Sequence, residues 1–295
     1  MNKSSVQNLV RNYSIETTVP QATRVERFSD TVQPGTSLYI AHIPGTNFQD
    51  TVDLAARLRR EGMEPVPHVV GRRIASLAAL EDFLKRLTGD AGVKQVLVVA
   101  GDNAPPEGEL TSGLQILESG LLEKYGVRTL GVAGHPEGHR EVPDPVLRDA
   151  LRRKNAYAEK TGSKVYIVTQ FTFTAESVTT WETSHSDDIG RLPVTVGLPG
   201  LASAKTLLKY AMDCGVGASL QAFSKRAASL TKLLTVNAPD DILVGLAAYR
   251  ERTPKSHLSG VHFFPFGGFK KTADWANKII GGTFEITSDG GLRVE

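Results

Sequence analysis

The stretch Gln95-Val-Leu-Val-Val-Ala-Gly-Asp102 is a short apolar run, rich in β-branched residues, that ends at a carboxylate. It shows no alternation of apolar and polar residues, which is typical of a strand buried on both faces of a parallel sheet. Ligand chemistry in α/β proteins lies at the carboxyl ends of such strands. The stretch therefore predicts a functional role for Asp102; the alternative is that Asp102 only turns the chain before Pro105.

Similar β-prone runs alternate with helical patterns on both sides of this stretch. The predicted strands are Tyr13–Thr18, Ser37–Ile43, Pro65–Gly71, Gln95–Asp102, Arg128–His135, Lys164–Phe171, Pro193–Gly200 and Gly260–Phe266. The predicted helices are Asp50–Glu61, Ser76–Leu87, Thr111–Lys124, Asp144–Lys160, Ala175–Thr183, Ala202–Met212, Ser224–Leu234, Pro239–Arg252 and Phe269–Ile280. Roughly eight strand-helix alternations predict a (β/α)₈ TIM-type barrel. No Gly-x-Gly-x-x-Gly follows an early strand, which disfavours a dinucleotide-binding Rossmann sheet.

The domain organisation follows from this alternation. We expect one barrel domain over residues 1–295, with extra helices between Ala218 and Arg252 in the carboxyl-terminal part. Residues 1–12 are expected to be a peripheral lead-in and residues 281–295 a peripheral tail.

Composition narrows the class of protein. The formal charge of +2 comes from 34 basic and 32 acidic residues without a dense basic block, which argues against nucleic-acid binding and favours a small or anionic ligand. Cys214 is the only cysteine, so no intrachain disulfide is possible and a reducing compartment is expected. The chain has no signal-peptide core and no run of about 20 apolar residues. We expect a cytoplasmic protein that has no membrane partner and forms a homo-oligomer.

Several polar residues stand at positions where a barrel places its active site. Asp102, His135 and Gln170 each follow an apolar strand. In a barrel, the carboxyl ends of the strands lie on one face. Glu16 lies within the first strand, where it either points into the mouth of the barrel with a raised pKa or faces water at an edge. His68 lies within another strand, where it is either a packing residue or part of a site.

A metal site is one interpretation of these residues, since His135 and His139 with Asp102 and His68 offer imidazole and carboxylate ligands. However, Pro136 keeps the first two histidines out of one regular helix, and no His-x-His leaves the first strand. A Schiff-base lyase is disfavoured because Lys164 lies at the start of its strand. We therefore predict no metal site.

An ordered set of short motifs gives a more specific interpretation. They are Ser14-Ile-Glu-Thr-Thr18, Pro67-His68, Ala100-Gly-Asp102, Ala133-Gly-His-Pro-Glu-Gly-His139, Val168-Thr-Gln-Phe171 and Gly260-Val-His-Phe-Phe264. From Tyr13 to about Ile280 the chain resembles the methylenetetrahydrofolate reductase family. The resemblance implies a (β/α)₈ barrel that uses FAD to carry a hydride from NADH or NADPH to methylenetetrahydrofolate, giving 5-methyltetrahydrofolate. The reverse reaction, oxidation of methyltetrahydrofolate, is equally compatible with the motifs.

The resemblance also implies roles for individual residues. Glu16 matches the catalytic acid, and Asp102 the aspartate beside flavin and pterin. Gln170 and Tyr210 match residues that contact the folate, Tyr210 as an aromatic face for stacking. The residues implied to surround FAD are His68, Gly101, Asp102, Ala133, His135, His139 and Lys154.

Three departures from the family pattern concern the flavin. Ala100 replaces the arginine before Gly-Asp, and His135 replaces an aromatic residue. Lys154 lies near the asparagine of an Asn-x-x-Arg-Lys motif, whose basic positions fall on Tyr157 and Ala158. These changes predict a weakened hold on FAD. They leave open a flavin-independent folate reductase, or a folate- or metal-binding barrel without redox activity.

Overall fold

The structure is a computed structural model that describes residues 2–101, 105–217, 236–287 and 291–294. Asp102 lies outside these residues, as does most of the predicted insertion, from Ala218 through Leu234.

The strands form where the sequence has its short apolar runs. In chain order they are β1 (Ser14–Thr18), β2 (Ser37–Ala41), β3 (Glu64–Val70), β4 (Gln95–Val99), β5 (Thr129–Gly134), β6 (Lys164–Thr169), β7 (Val194–Pro199), β8 (Ala202–Ser203), β9 (Val236–Asn237), β10 (Leu258–Phe264), β11 (Phe284–Ile286) and β12 (Leu292–Val294). Eight of them close into a barrel with the hydrogen-bonded order β1, β10, β7, β6, β5, β4, β3, β2. This confirms the predicted (β/α)₈ architecture. The short strands β8 and β9 form an antiparallel pair, and β11 and β12 form another.

Helices connect the barrel strands. They are α1 (Lys3–Val10), α2 (Val19–Ala22), α3 (Phe48–Arg60), α4 (Leu77–Gly89), α5 (Gly113–Glu118), α6 (Leu121–Lys124), α7 (Asp144–Thr161), α8 (Ala175–Ser184), α9 (Ser186–Ile189), α10 (Ala204–Asp213), α11 (Asp240–Arg252) and α12 (Phe269–Ile280). Side-chain caps fix several starts, because Asn47, Ser76 and Thr174 each accept a backbone N–H of the first turn. Within the described ranges, no helix combines the length and apolar character that a membrane span requires.

One helical prediction needs correction, and one helix lies where none was predicted. The single helix predicted over Thr111–Lys124 is wrong: α5 and α6 are separate, and Gly120 between them has a left-handed φ of 73°. No secondary structure was predicted for the lead-in over residues 1–12, and it contains α1, capped by the Asn2 side chain. Val6 and Val10 of α1 are fully buried, and α1 packs on β10, α11 and α12. Their spacing of four residues is the signal that predicts this amphipathic helix.

The chain divides into two compact units. The first unit comprises Met1–Ile15, Gly134–Arg148 and Val168–Glu295, and the second comprises Glu16–Ala133 and Asp149–Ile167. Fully buried strand residues form the core of each, such as Val196 and Phe263 in the first and Ile40 and Val66 in the second. The organisation as one barrel domain stays a prediction.

Candidate active site

Glu16 and His68 form a close pair in the second unit. The Nε2 atom of His68 lies 3.4 Å from Oε2 of Glu16, and the side chains keep exposed fractions of only 13% and 17%. Burial raises the pKa of Glu16 to about 8. Burial is the main cause that lowers the pKa of His68 to about 3, and a positive charge on His42 lowers it further. Although the distance would allow an ion pair, both groups are therefore neutral at pH 7, and Glu16 is a protonated acid.

The surroundings of this pair disfavour two simpler interpretations. Glu16 is not an edge glutamate facing water, since β1 lies inside a closed barrel and most of its side chain is covered. His68 is not a fully satisfied packing histidine, because its buried Nε2 has no hydrogen-bond partner within the described residues. A buried acid beside an unsatisfied acceptor is the kind of arrangement found at functional sites.

The loop after β5 holds His135 and His139 in the first unit. It turns tightly: the N–H of Gly138 donates to the carbonyl of His135 at 3.0 Å, and Gly138 has a φ of 76°. The two imidazole rings meet edge to face with their centroids 5.4 Å apart. Within the described ranges, no group of three or more His, Cys, Asp or Glu side chains is arranged to hold a metal ion.

Gln170 immediately follows β6 in the same unit. Its backbone N–H donates to the carbonyl of Gly134 at 2.9 Å, which fixes the chain at this point. Its side-chain Oε1 accepts the N–H of Phe171 at 3.0 Å. This contact engages the amide oxygen and orients the side chain, whose two N–H groups are hydrogen-bond donors.

Tyr210 of α10 belongs to an aromatic cluster. Its ring stacks on Phe266 with a centroid distance of 4.4 Å and an interplanar angle of 22°, and Phe264 and Phe171 lie beside Phe266. Phe266 therefore covers one face of Tyr210, and Nζ of Lys209 lies 5.3 Å from the centroid of the same ring. Sequence reasoning missed Phe266, whose φ of 47° makes it the single non-glycine residue with positive φ among those described.

The left-handed backbone of Phe266 gives a stability prediction. Phe266→Gly removes the ring but relieves the strain, whereas Phe266→Ala removes the ring and keeps the strain. We expect the alanine variant to be less stable than the glycine variant by about 1–2 kcal/mol in the free energy of unfolding. Urea unfolding of both variants and the wild type measures this difference. Equal stabilities would show that the backbone relaxes without cost.

The sequence comparison decides the family. The family model described as methylenetetrahydrofolate reductase matches residues 4–219, which is most of the chain. The chain belongs to the methylenetetrahydrofolate reductase family.

Two solved structures are similar in fold to this chain. One is described as an uncharacterized protein from Clostridium thermocellum that binds two copies of 5-methyl-5,6,7,8-tetrahydrofolic acid. It has 15% sequence identity and a TM-score of 0.52, and the match covers 90% of this chain and 97% of that one. The other is a family 18 chitinase from Crocus vernus, with 11% identity, a TM-score of 0.52 and coverage of 91% and 98%. At such identities the likeness shows the barrel fold alone.

Lys154 is the residue of α7 that best fits the FAD diphosphate implied by the family. Its Nζ donates to the carbonyl of Ala133 at 2.8 Å, which joins two of the residues expected around FAD. Burial lowers the pKa of Lys154 to about 8, so it remains mostly protonated at pH 7. No carboxylate of the described residues pairs with it. A partly desolvated cation without an acidic partner favours a bound anion.

The basic neighbours of Lys154 on α7, and Tyr157 at one basic position of the family motif, have partners of their own. Arg153 donates to Glu118 at 2.5 Å, and the Tyr157 hydroxyl donates to Glu123 at 2.5 Å. Arg152 lies 3.4 Å from Asp149 at the surface. Among the basic residues of α7, Lys154 is therefore the one that fits a bound diphosphate.

Gly101 marks the end of the strand that precedes Asp102. It has a φ of 109°, and a Cβ at this position would lie 2.6 Å from Cγ1 of Val70. Only glycine fits here. Asp102 itself is outside the described residues.

Proposed function

We propose that the protein transfers a hydride between NAD(P)H and the folate pair methylenetetrahydrofolate and 5-methyltetrahydrofolate, with FAD as carrier. Membership of the methylenetetrahydrofolate reductase family supports the reaction class. The observation that carries the proposal is the buried, protonated Glu16, on the position of the family's catalytic acid. The Clostridium thermocellum protein, described as binding 5-methyl-5,6,7,8-tetrahydrofolic acid, supports a folate as the ligand.

Glu16 supplies the proton of the reaction. Opening the five-membered ring of methylenetetrahydrofolate breaks a C–N bond and leaves an iminium carbon, and the departing nitrogen needs a proton. The O–H bond of Glu16 breaks and an N–H bond forms, while the iminium carbon becomes the hydride acceptor. Because the pKa of Glu16 is raised to about 8, the carboxyl carries this proton at pH 7. In the oxidative direction the Glu16 carboxylate takes the proton back, so the same residue serves both directions.

The remaining residues bind and orient the reactants. When bound, FAD supplies a two-electron carrier between NAD(P)H and the folate. Lys154 would neutralise part of its diphosphate. The family resemblance implies that Gly101, Ala133, His135 and His139 contact the same cofactor. Gln170 would donate its amide N–H groups to the pterin, and the ring of Tyr210 would stack on the p-aminobenzoate or the nicotinamide. The family pattern gives Asp102 the role of accepting hydrogen bonds from the pterin.

Oxidation of 5-methyltetrahydrofolate tests the proposal. Purified protein with added FAD, 5-methyltetrahydrofolate and an artificial electron acceptor is expected to form methylenetetrahydrofolate, measured by chromatography. Folate binding without this product would instead favour a folate-binding barrel without redox activity. If neither folate binding nor product is found, metal analysis of the purified protein tests the alternative of a metal-binding barrel without redox activity.

A further inference from the structure

The unsatisfied imidazole nitrogen of His68 has an obvious donor beside it. Nε2 is buried without a hydrogen-bond partner within the described residues, and Oε2 of Glu16 lies 3.4 Å away. A formed O–H···N hydrogen bond is roughly 2.7–2.8 Å long. A movement of less than about 1 Å would therefore complete the bond.

The charge states fix the direction of such a bond. Glu16 is neutral at pH 7 and carries an O–H donor, while neutral His68 carries a lone pair on the nitrogen that lacks hydrogen. A positive charge on His42 acts further against protonation of His68. Glu16 is therefore the donor and His68 the acceptor, in the tautomer with the proton on Nδ1.

The packing around His68 holds the ring in place. The ring of Tyr39 meets it edge to face, with centroids 6.2 Å apart. Tyr39 is in turn fixed by its hydroxyl, which lies 2.5 Å from the hydroxyl of Tyr166, and Gln95 donates to that second hydroxyl at 2.7 Å. On β4, the residue in register with His68 is the apolar Leu97. The imidazole is thus supported by a rigid hydrogen-bonded set and faces no other acid among these contacts.

We propose that His68 is a positioning residue for Glu16: its Nε2 accepts the Glu16 O–H and holds the carboxyl as a proton donor until the folate nitrogen replaces Nε2 as the acceptor. The hydrogen bond is a property of the folded protein, and only its role in catalysis rests on the proposed function. His68 neither gains nor loses a proton. Once Glu16 has given up its proton, the carboxylate faces a lone pair that cannot donate, which favours reprotonation.

His68→Gln separates this role from simple packing. The glutamine amide offers N–H donors, which stabilise the carboxylate form of Glu16 rather than the acid. Infrared difference spectra recorded over a pH series follow the carboxylic acid C=O band of Glu16, identified by its loss in Glu16→Gln. In the wild type this band should disappear as the pH rises through about 8. In His68→Gln its midpoint should move to lower pH by about one unit, a tenfold change in proton affinity.

The matched control is His257→Gln, the same change at a histidine whose Nε2 contacts Ser186 outside this pair. In this variant the C=O band of Glu16 should titrate with the same midpoint as in the wild type. His68→Asn, checked by circular dichroism, is the second variant if His68→Gln does not fold, and the same downward shift is expected. An unchanged midpoint in a folded His68 variant overturns the proposal.

A second readout addresses catalysis. The alkaline limb of the pH profile of kcat for folate turnover should move down with the infrared midpoint in the His68 variant. A shifted infrared band without folate turnover in any protein, wild type included, would establish the pair and refute the proposed function. A shifted band with an unshifted kcat profile would limit His68 to a structural role and overturn its role in catalysis.

Discussion

Glu16→Gln is expected to lower folate turnover by about 10²–10⁴-fold, the usual contribution of a positioned general acid. The amide has nearly the shape of the carboxylic acid but cannot give up a proton at neutral pH. Since Glu16 is buried beside His68, water has little access to this position and cannot readily replace Glu16 as the proton donor. Reduction of any bound flavin by NAD(P)H should continue at a near-normal rate, because that step needs no proton at the folate nitrogen. Stopped-flow absorbance of the two half-reactions measures both rates.

Glu285→Gln provides the control for this experiment. Glu285 is an exposed residue of β11, so the same chemical change should leave both half-reactions intact. Near-normal folate turnover in Glu16→Gln would mean that the acid is elsewhere and that Glu16 is structural. Loss of both half-reactions together would point to a defect in folding or flavin binding instead.

The barrel was predictable because each strand has a local signal. Runs such as the one at Gln95 are apolar and β-branched, and turn residues or capped helices follow them, so the alternation can be counted along the chain. The break between α5 and α6 was missed because a single glycine within a helical pattern does not by itself end a helix. Helix α1 was missed because it is short and its polar residues hid the spacing of its buried valines.

The candidate site was predictable only as a list of residues. Glu16 and His68 are far apart in sequence, and their pairing depends on the positions of β1 and β3 in the barrel. The sequence could not show that no carboxylate of the described residues pairs with Lys154, because Arg152 and Arg153 beside it in sequence are equally basic but pair with carboxylates. The left-handed backbone of Phe266 has no signal in its residue type, because such a φ is expected of glycine or asparagine.

Lys154→Met is expected to weaken FAD binding by about ten- to a hundredfold, since loss of one charged contact to a diphosphate costs about 1.5–3 kcal/mol. Methionine keeps the length of the side chain and removes the charge. The structure offers little to compensate, because the basic positions of the family motif fall on Tyr157, which contacts Glu123, and on Ala158. Titration of flavin-free protein with FAD, followed by quenching of flavin fluorescence, gives the two dissociation constants.

Arg153→Met is the matched control, the same loss of charge on the same helix from a residue paired with Glu118. It should leave the FAD affinity unchanged. Equal affinities in the wild type and in Lys154→Met would remove Lys154 from the flavin site.

The same titration decides between a flavoprotein and a direct transfer of hydride from NADH to the folate iminium. Direct transfer needs only stacking contact between the nicotinamide and the folate, together with the acid Glu16. Because Tyr157 and Ala158 stand at the basic positions of the family motif, a flavoprotein of this kind should lose FAD during purification and regain activity when FAD is added. NADH-dependent folate reduction that is full without detectable flavin, does not respond to added FAD and is unaffected in Lys154→Met would require direct transfer. Glu16 would keep its role in that case, because the folate nitrogen needs a proton whichever donor supplies the hydride.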